Sequence, residues 1–137
     1  MVNQSLLISL TSNYMTKVKN CGSSTLKNLG LIIIAVAISY VSSEYFGQLY
    51  MKVTNDPGTF VDTRSLIGLP LSYIFFLTVL LTVFGGNKKY VWLGILLIPA
   101  AAFELYFDLD HIYFPLLLGL AGWSIGIGFA RLIKLMS

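Results

Sequence analysis

Residues 65–87 read SLIGLPLSYIFFLTVLLTVFGGN, a run of 23 residues without a charged side chain between Arg64 and Lys88. The hydrocarbon core of a bilayer is about 30 Å thick, and a helix needs roughly 20 predominantly apolar residues to cross it. The run therefore predicts a transmembrane helix, which we place at residues 67–86. Because nearly all of its side chains are apolar, we expect this helix to face lipid.

Three further stretches of low charge fit the same length criterion, at residues 29–50, 90–108 and 112–133. The chain is 56% hydrophobic and 11% charged, whereas about 25% of the residues of a soluble domain are charged. So few charged side chains could not cover the surface of a soluble monomer. We predict an all-α, integral membrane four-helix bundle, with residues 29–137 as a single four-span transmembrane domain and an outer loop at 51–66.

The charged residues are divided between the two sides of this predicted bundle. Seven of the nine basic residues precede the first span, separate spans two and three, or follow the fourth: Lys17, Lys19, Lys27, Lys88, Lys89, Arg131 and Lys134. All six acidic residues lie in the opposite halves of helices or the opposite loops. The positive-inside rule then places both termini in the cytoplasm, in the cytoplasmic (plasma) membrane. A basic rim of this kind faces anionic lipid, so we expect no nucleic-acid partner.

Residues 1–28 form a cytoplasmic N-terminal segment with two interpretations. Val2, Leu6, Leu10 and Tyr14 share one face at helical spacing, which indicates an amphipathic helix on the inner membrane surface. The alternative is a disordered tail. Cys21 is the sole cysteine of the sequence, so we interpret it as an inert thiol without an internal disulfide partner.

The fourth span carries the clearest packing pattern. Gly119, Gly122, Gly126 and Ala130 recur at steps of three and four residues, and such small-residue stripes let two helix backbones approach closely. We expect this stripe to pack on the first span or on the fourth span of a second subunit, giving a homo-oligomer or a larger membrane complex. In the third span, Pro99 predicts a kink near residues 95–98.

One constellation could carry chemistry. Glu104, Asp108 and His111 are spaced i, i+4, i+7 and would share a helix face, and we expect Glu44 and Asp62 on the same outer side. Three interpretations compete. These groups could be headgroup-level structural residues, a cation site of unspecified metal or ligand built on carboxylates and one imidazole, or acid–base catalysts.

The favoured function is non-enzymatic: an accessory or scaffold subunit, or a small oligomeric cation-interacting transporter with an acidic outer face. The alternative is an outward-facing intramembrane hydrolase or transferase that uses Glu44, Glu104 and His111. The sequence has no serine elbow, zinc-protease motif or glycine-rich phosphate loop. We therefore assign no catalytic residue and expect no cofactor.

Overall fold

A computed structural model describes the backbone of residues 4–54, 64–86, 88–107 and 110–136, and the side chains of 22–54, 66–86, 88–106 and 110–136. It contains four helices, α1 (Gln4–Thr54), α2 (Arg64–Phe84), α3 (Lys89–Phe107) and α4 (Tyr113–Met136). Each helix includes a stretch long and apolar enough to cross a membrane. The prediction of four helices that are each long and apolar enough to cross a membrane is confirmed for the described residues, and the fold fits a multi-pass membrane bundle.

Helix α1 is longer than one span requires. It has 51 residues, which at about 1.5 Å per residue gives a length of roughly 76 Å. Its membrane-compatible part is Gly22–Thr54, so the predicted boundary at residue 28 falls inside a continuous helix. The helix also extends past residue 51, where the predicted loop begins, and residues 55–63 of that loop lie outside the described residues.

Helix α2 occupies the centre of the bundle, and the prediction that it faces lipid is wrong. It packs against all three other helices, which have few direct contacts with one another. Half of its membrane-compatible stretch is buried within the chain, compared with 11% of the stretch in α3 and in α4. In a membrane both lipid and neighbouring helices are apolar, so an even apolar surface does not distinguish a lipid-facing helix from a central one.

The contact between α1 and α2 is built from small residues. Ala35, Ser39, Ser43 and Gly47 recur every four residues on α1, and all are buried. Gly68 of α2 lies so close to this stripe that an added Cβ would touch the carbonyl oxygen of Ser43. The two backbones therefore meet almost directly, with α1 and α2 antiparallel.

The Ser72 hydroxyl contributes a polar contact to this pair. It lies 3.0 Å from the carbonyl oxygen of Ser39 on α1 and 3.0 Å from that of Leu69 in its own helix, so its one hydrogen is shared between the two. Ser39 is one turn along from the contact between Gly68 and Ser43 and agrees with the same register. A hydroxyl donated to a carbonyl of a neighbouring helix is a common interhelical bond in membrane proteins.

The contact between α2 and α4 places glycines against threonines. A Cβ on Gly122 would lie 3.4 Å from Cβ of Thr78, and a Cβ on Gly126 would lie 2.7 Å from Cβ of Thr82. Both pairs are four residues apart and run in the same direction, so α2 and α4 are parallel. The stripe was predicted to pack on the first span or on a second subunit, and its central glycines, Gly122 and Gly126, pack on α2 instead.

Helix α3 packs on α2 more lightly. The Tyr73 hydroxyl lies 3.5 Å from the carbonyl oxygen of Leu96, and the Lys89 ammonium donates to the carbonyl of Thr82 at 2.7 Å. These contacts make α3 antiparallel to α2. Pro99 lies within α3, which remains helical on both sides of it, and the predicted kink stays a prediction.

The alternating helix directions separate the charges between two ends of the bundle. The acidic end holds Glu44, Glu104 and Asp110 together with one base, Lys52. The basic end holds Lys27, Lys88, Lys89, Arg131 and Lys134.

Candidate functional site

Glu104 is the most unusual side chain at the acidic end. It lies on α3 and is 4% exposed, although it belongs to the stretch Lys89–Tyr106 that could cross a membrane. Its Oε1 atom is buried and accepts no hydrogen bond from any described residue. A buried carboxyl without a partner is costly, and native structures retain few such groups without a reason.

Glu104 lines a cavity between three helices. The cavity has a volume of about 280 Å³. Its lining comes from Ile74 of α2, from α3, from α4 and from the turn before α4. Besides Ile74 and Glu104, the lining residues are Leu97, Ala101, Leu105, Ile112, Pro115, Leu116, Gly119 and Leu120. Among the described residues of this lining, Glu104 is the one with a polar side chain.

Glu44 is placed differently. It is exposed on α1, and its Oε1 lies 3.5 Å from Nε2 of Gln48, one turn later. Its neighbour Ser43 is buried against α2, so Glu44 points away from the centre of the bundle. Glu44 and Glu104 share an end of the bundle but face different surroundings.

His111 belongs to an aromatic cluster where α4 begins. Its ring lies edge-on to Tyr50 at 5.9 Å between centroids, and 6.0 Å from the ring of Tyr113. Tyr50 also packs edge-on against Phe114 at 5.6 Å. Edge-to-face pairs at these distances contribute about 0.5–1.5 kcal/mol each, so this cluster ties the end of α1 to the start of α4.

Two other predicted site residues, Asp62 and Asp108, lie outside the described residues. Within the part of the chain that the structure describes, no three histidine, cysteine or acidic side chains come close enough to hold a metal ion. Glu44, Glu104 and His111 thus occupy three settings: an exposed helix face, an apolar cavity and an aromatic cluster.

The predicted packing residues of α4 also differ from one another. Gly122 and Gly126 are buried, whereas Gly119 and Ala130 are partly exposed. Gly119 would bring a Cβ to 3.5 Å from Ile74, an ordinary contact, and it lines the Glu104 cavity. The glycine stripe therefore has two roles, close packing at its centre and space for the cavity at Gly119.

The sequence interpretation missed a polar lock at the basic end. Asn28 is fully buried, and its Oδ1 accepts a hydrogen bond from the backbone amide of Gly86 at 2.9 Å. A Cβ on Gly86 would meet the Ser24 hydroxyl, so the turn after α2 lies directly on α1. The signal in the sequence was an asparagine at the start of an apolar run.

A second cavity, of about 500 Å³, lies between α1, α2 and α3. The sequence did not predict this cavity. Tyr40 and Tyr73 line it together with Ser39 and Pro99. The Ser39 hydroxyl donates to the carbonyl of Ala35 at 2.6 Å, so it is already satisfied within its own helix. None of the described residues that line this cavity is an aspartate, glutamate, lysine, arginine or histidine.

No protein-family model, curated protein or solved structure matches the chain.

Proposed function

We propose that this chain is a non-enzymatic multi-pass protein of the cytoplasmic membrane that interacts with a cation through Glu104. It would act as a small transporter or as an accessory subunit of a larger membrane complex. Both termini would lie in the cytoplasm, so that the acidic end, where the cation is met, faces outward.

The buried carboxyl of Glu104 is the observation that carries the proposal. Ionisable residues inside membrane helices are expensive, and they usually mark a substrate or ion pathway. A carboxyl kept only for folding would be expected to accept hydrogen bonds from its neighbours, yet Oε1 of Glu104 accepts none from the described residues. A cation in the adjoining cavity would supply the missing partner.

The hydrolase or transferase alternative is less well supported. General acid–base catalysis requires the two groups to reach the same substrate atoms. Glu44 is exposed on α1 and Glu104 is buried beside a cavity between α2, α3 and α4, while His111 packs on aromatic rings. The three side chains thus lie in different surroundings, which is not what a shared substrate atom would require.

We also propose that the chain forms oligomers or joins a larger membrane complex. The glycine stripe of α4, which the sequence suggested for this contact, is not the surface that would be used. Gly122 and Gly126 contact α2, so a second subunit would have to contact another face. Apolar side chains are exposed on α1, α3 and α4, among them Val41, Ile95 and Phe129, so each of these helices has a face that a second subunit could contact.

Thermal unfolding in detergent tests the cation proposal. A ligand that binds only the folded state stabilises it by about 2.7 kcal/mol when its concentration is 100 times its Kd. This added stability raises the unfolding temperature. The panel would contain the chlorides of sodium, potassium, magnesium, calcium, manganese and several organic ammonium ions, all compared at equal ionic strength. We expect at least one cation to raise the unfolding temperature of the wild type.

Glu44→Gln is the matched control, because it removes an exposed acid from the same end of the bundle. We expect the shift to persist in Glu44→Gln and to disappear in Glu104→Gln. The proposal fails if no cation in the panel shifts the wild type, or if the shift is the same in Glu104→Gln.

A further inference from the structure

We infer that the Glu104 cavity takes an amphiphilic organic cation, a compact apolar body carrying one ammonium group, which enters from the bilayer between α3 and α4. This inference rests on the proposed function, because it names the class of cation that Glu104 would bind.

The lining of the cavity favours an organic cation over a metal ion. Calcium takes six to eight oxygen ligands, and magnesium and manganese also prefer several oxygens in octahedral geometry. Among the described residues, Glu104 is the one side chain with oxygen atoms in the lining, and the rest of the lining is aliphatic. An organic ammonium ion needs one negative partner, and its hydrocarbon body gains from the apolar walls.

The carboxyl supplies that negative partner at one point of the cavity. Oε1 of Glu104 is buried and accepts no hydrogen bond from the described chain, so the described residues leave the hydrogen-bonding capacity of this carboxyl unused. Hydrogen bonds between an ammonium group and a carboxylate are roughly twice as strong as neutral ones. The ligand would therefore be oriented with its nitrogen at Glu104 and its apolar body beside Ala101 and Gly119.

The volume of the cavity limits the size of the apolar part of the ligand. Small-molecule sites commonly measure about 300–1,000 Å³, and this cavity, at about 280 Å³, is just below that range. One aromatic ring with a short amine arm fits such a site better than a two-chain lipid does. A phospholipid headgroup would also bring a phosphate close to the Glu104 carboxyl, so we assign the site to a free amine.

The mouth of the cavity opens sideways. Helices α3 and α4 both pack on α2 and have few contacts with each other. Leu105, Leu116 and Leu120, which line the cavity from the two sides, are 47%, 63% and 59% exposed. In a bilayer, exposed leucines of spanning helices face hydrocarbon, so a ligand would reach Glu104 after partitioning into the membrane.

Equilibrium dialysis against the purified protein in maltoside detergent tests the inference. Benzylamine, which is charged at neutral pH, would be compared with benzyl alcohol, which has the same ring without the charge, and with methylammonium, which has the charge without the ring. Empty micelles would correct for partitioning. We expect saturable benzylamine binding at one site per chain, with both fragments bound at least about tenfold more weakly.

Two variants distinguish the contribution of the charge to binding from that of the cavity space. Glu104→Gln keeps the shape and removes the charge, and Ala101→Leu keeps the carboxyl and fills the space beside it. We expect each to weaken benzylamine binding by about tenfold or more and Glu44→Gln to change it by less than about twofold. If Glu104→Gln does not fold, Ala101→Leu still decides the question.

The outcomes distinguish this inference from the proposed function. If calcium, sodium or methylammonium binds in a Glu104-dependent way and benzylamine does not, the organic-cation inference is overturned and the proposed function stands. Equal binding of benzyl alcohol, or unchanged benzylamine binding in Ala101→Leu, also overturns the inference. If no cation binds in a Glu104-dependent way, the proposed function falls with it.

Discussion

At the scale of single residues, the buried side chains of Glu104 and Asn28 show which site residues can be predicted from the sequence and which cannot. Glu104 was identified because an acid inside an apolar run is conspicuous. Its separation from Glu44 was not predicted, because the rotation of each helix decides which side chain faces the centre, and spacing along one helix does not fix that rotation. The burial of Asn28 was not predicted either, because a polar residue at the start of a span normally faces water or headgroups and the sequence does not show that α2 covers it.

Asn28 provides the first test of a residue-scale contact. Asn28→Ala removes the acceptor for the Gly86 amide, which is 2.9 Å from Oδ1. A hydrogen bond contributes about 0.5–1.5 kcal/mol net to stability, and this value applies here because the bond is partly buried. We expect the free energy of unfolding, measured by titration with sodium dodecyl sulfate in mixed micelles, to fall by about that amount. Lys27→Ala, at an exposed neighbouring position, is the control. If both variants lose the same free energy of unfolding, the hydrogen bond between Asn28 and Gly86 does not stabilise the fold.

At the scale of helices, the membrane-compatible stretches were predictable and their pairing was not. Length and apolar content follow from the bilayer thickness, so four helices could be placed from the sequence. The partners of each helix depend on how small residues on two surfaces match. Thr78 and Thr82 repeat at the same interval as Gly122 and Gly126, and this shared interval was the available sign that α2 is central.

The α2–α4 contact predicts a contrast within one helix. A Cβ at Gly126 would lie 2.7 Å from Cβ of Thr82, whereas a Cβ at Gly128 would meet nothing within 4 Å. We expect Gly126→Leu to lower the free energy of unfolding by about 1–3 kcal/mol, the usual cost of overpacking. Gly128→Leu should leave it nearly unchanged. Detergent denaturation of both variants measures the difference, and a Gly128→Leu that is as unstable as Gly126→Leu would refute the assignment of α2 as the partner.

The α1–α2 contact predicts a still sharper effect, because there a single methyl group is enough. Gly68→Ala would place Cβ against the carbonyl of Ser43, a backbone atom that cannot swing away. We expect a loss of at least about 1–3 kcal/mol in the free energy of unfolding. Gly30→Ala is the control, since no atom lies within 4 Å of the added Cβ and alanine favours helix by up to about 1 kcal/mol over glycine. Stability that is unchanged in Gly68→Ala would show that the two backbones are farther apart.

At the scale of the whole molecule, the helix directions gather the charges at two ends. Lys88 and Lys89 lie at the same end as Arg131 and Lys134, and Glu44 and Glu104 lie at the other. This arrangement follows from the order of charges along the sequence once four helices alternate in direction. Basic residues close to span ends are retained on the cytoplasmic side during insertion, so the basic end should be the cytoplasmic one.

Cysteine labelling in intact cells tests this orientation. Cys21 is the sole cysteine of the chain and precedes the first span on the basic side, so a membrane-impermeant maleimide should label it after the cells are opened and not before. In a Cys21→Ser background, Thr59→Cys lies in the sequence between α1 and α2 and should be labelled before opening. Labelling of Cys21 from outside in sealed cells, with Thr59→Cys protected, would reverse the orientation. The Glu104 cavity would then lie in the cytoplasmic half of the bilayer, and a cation would reach it from the other leaflet.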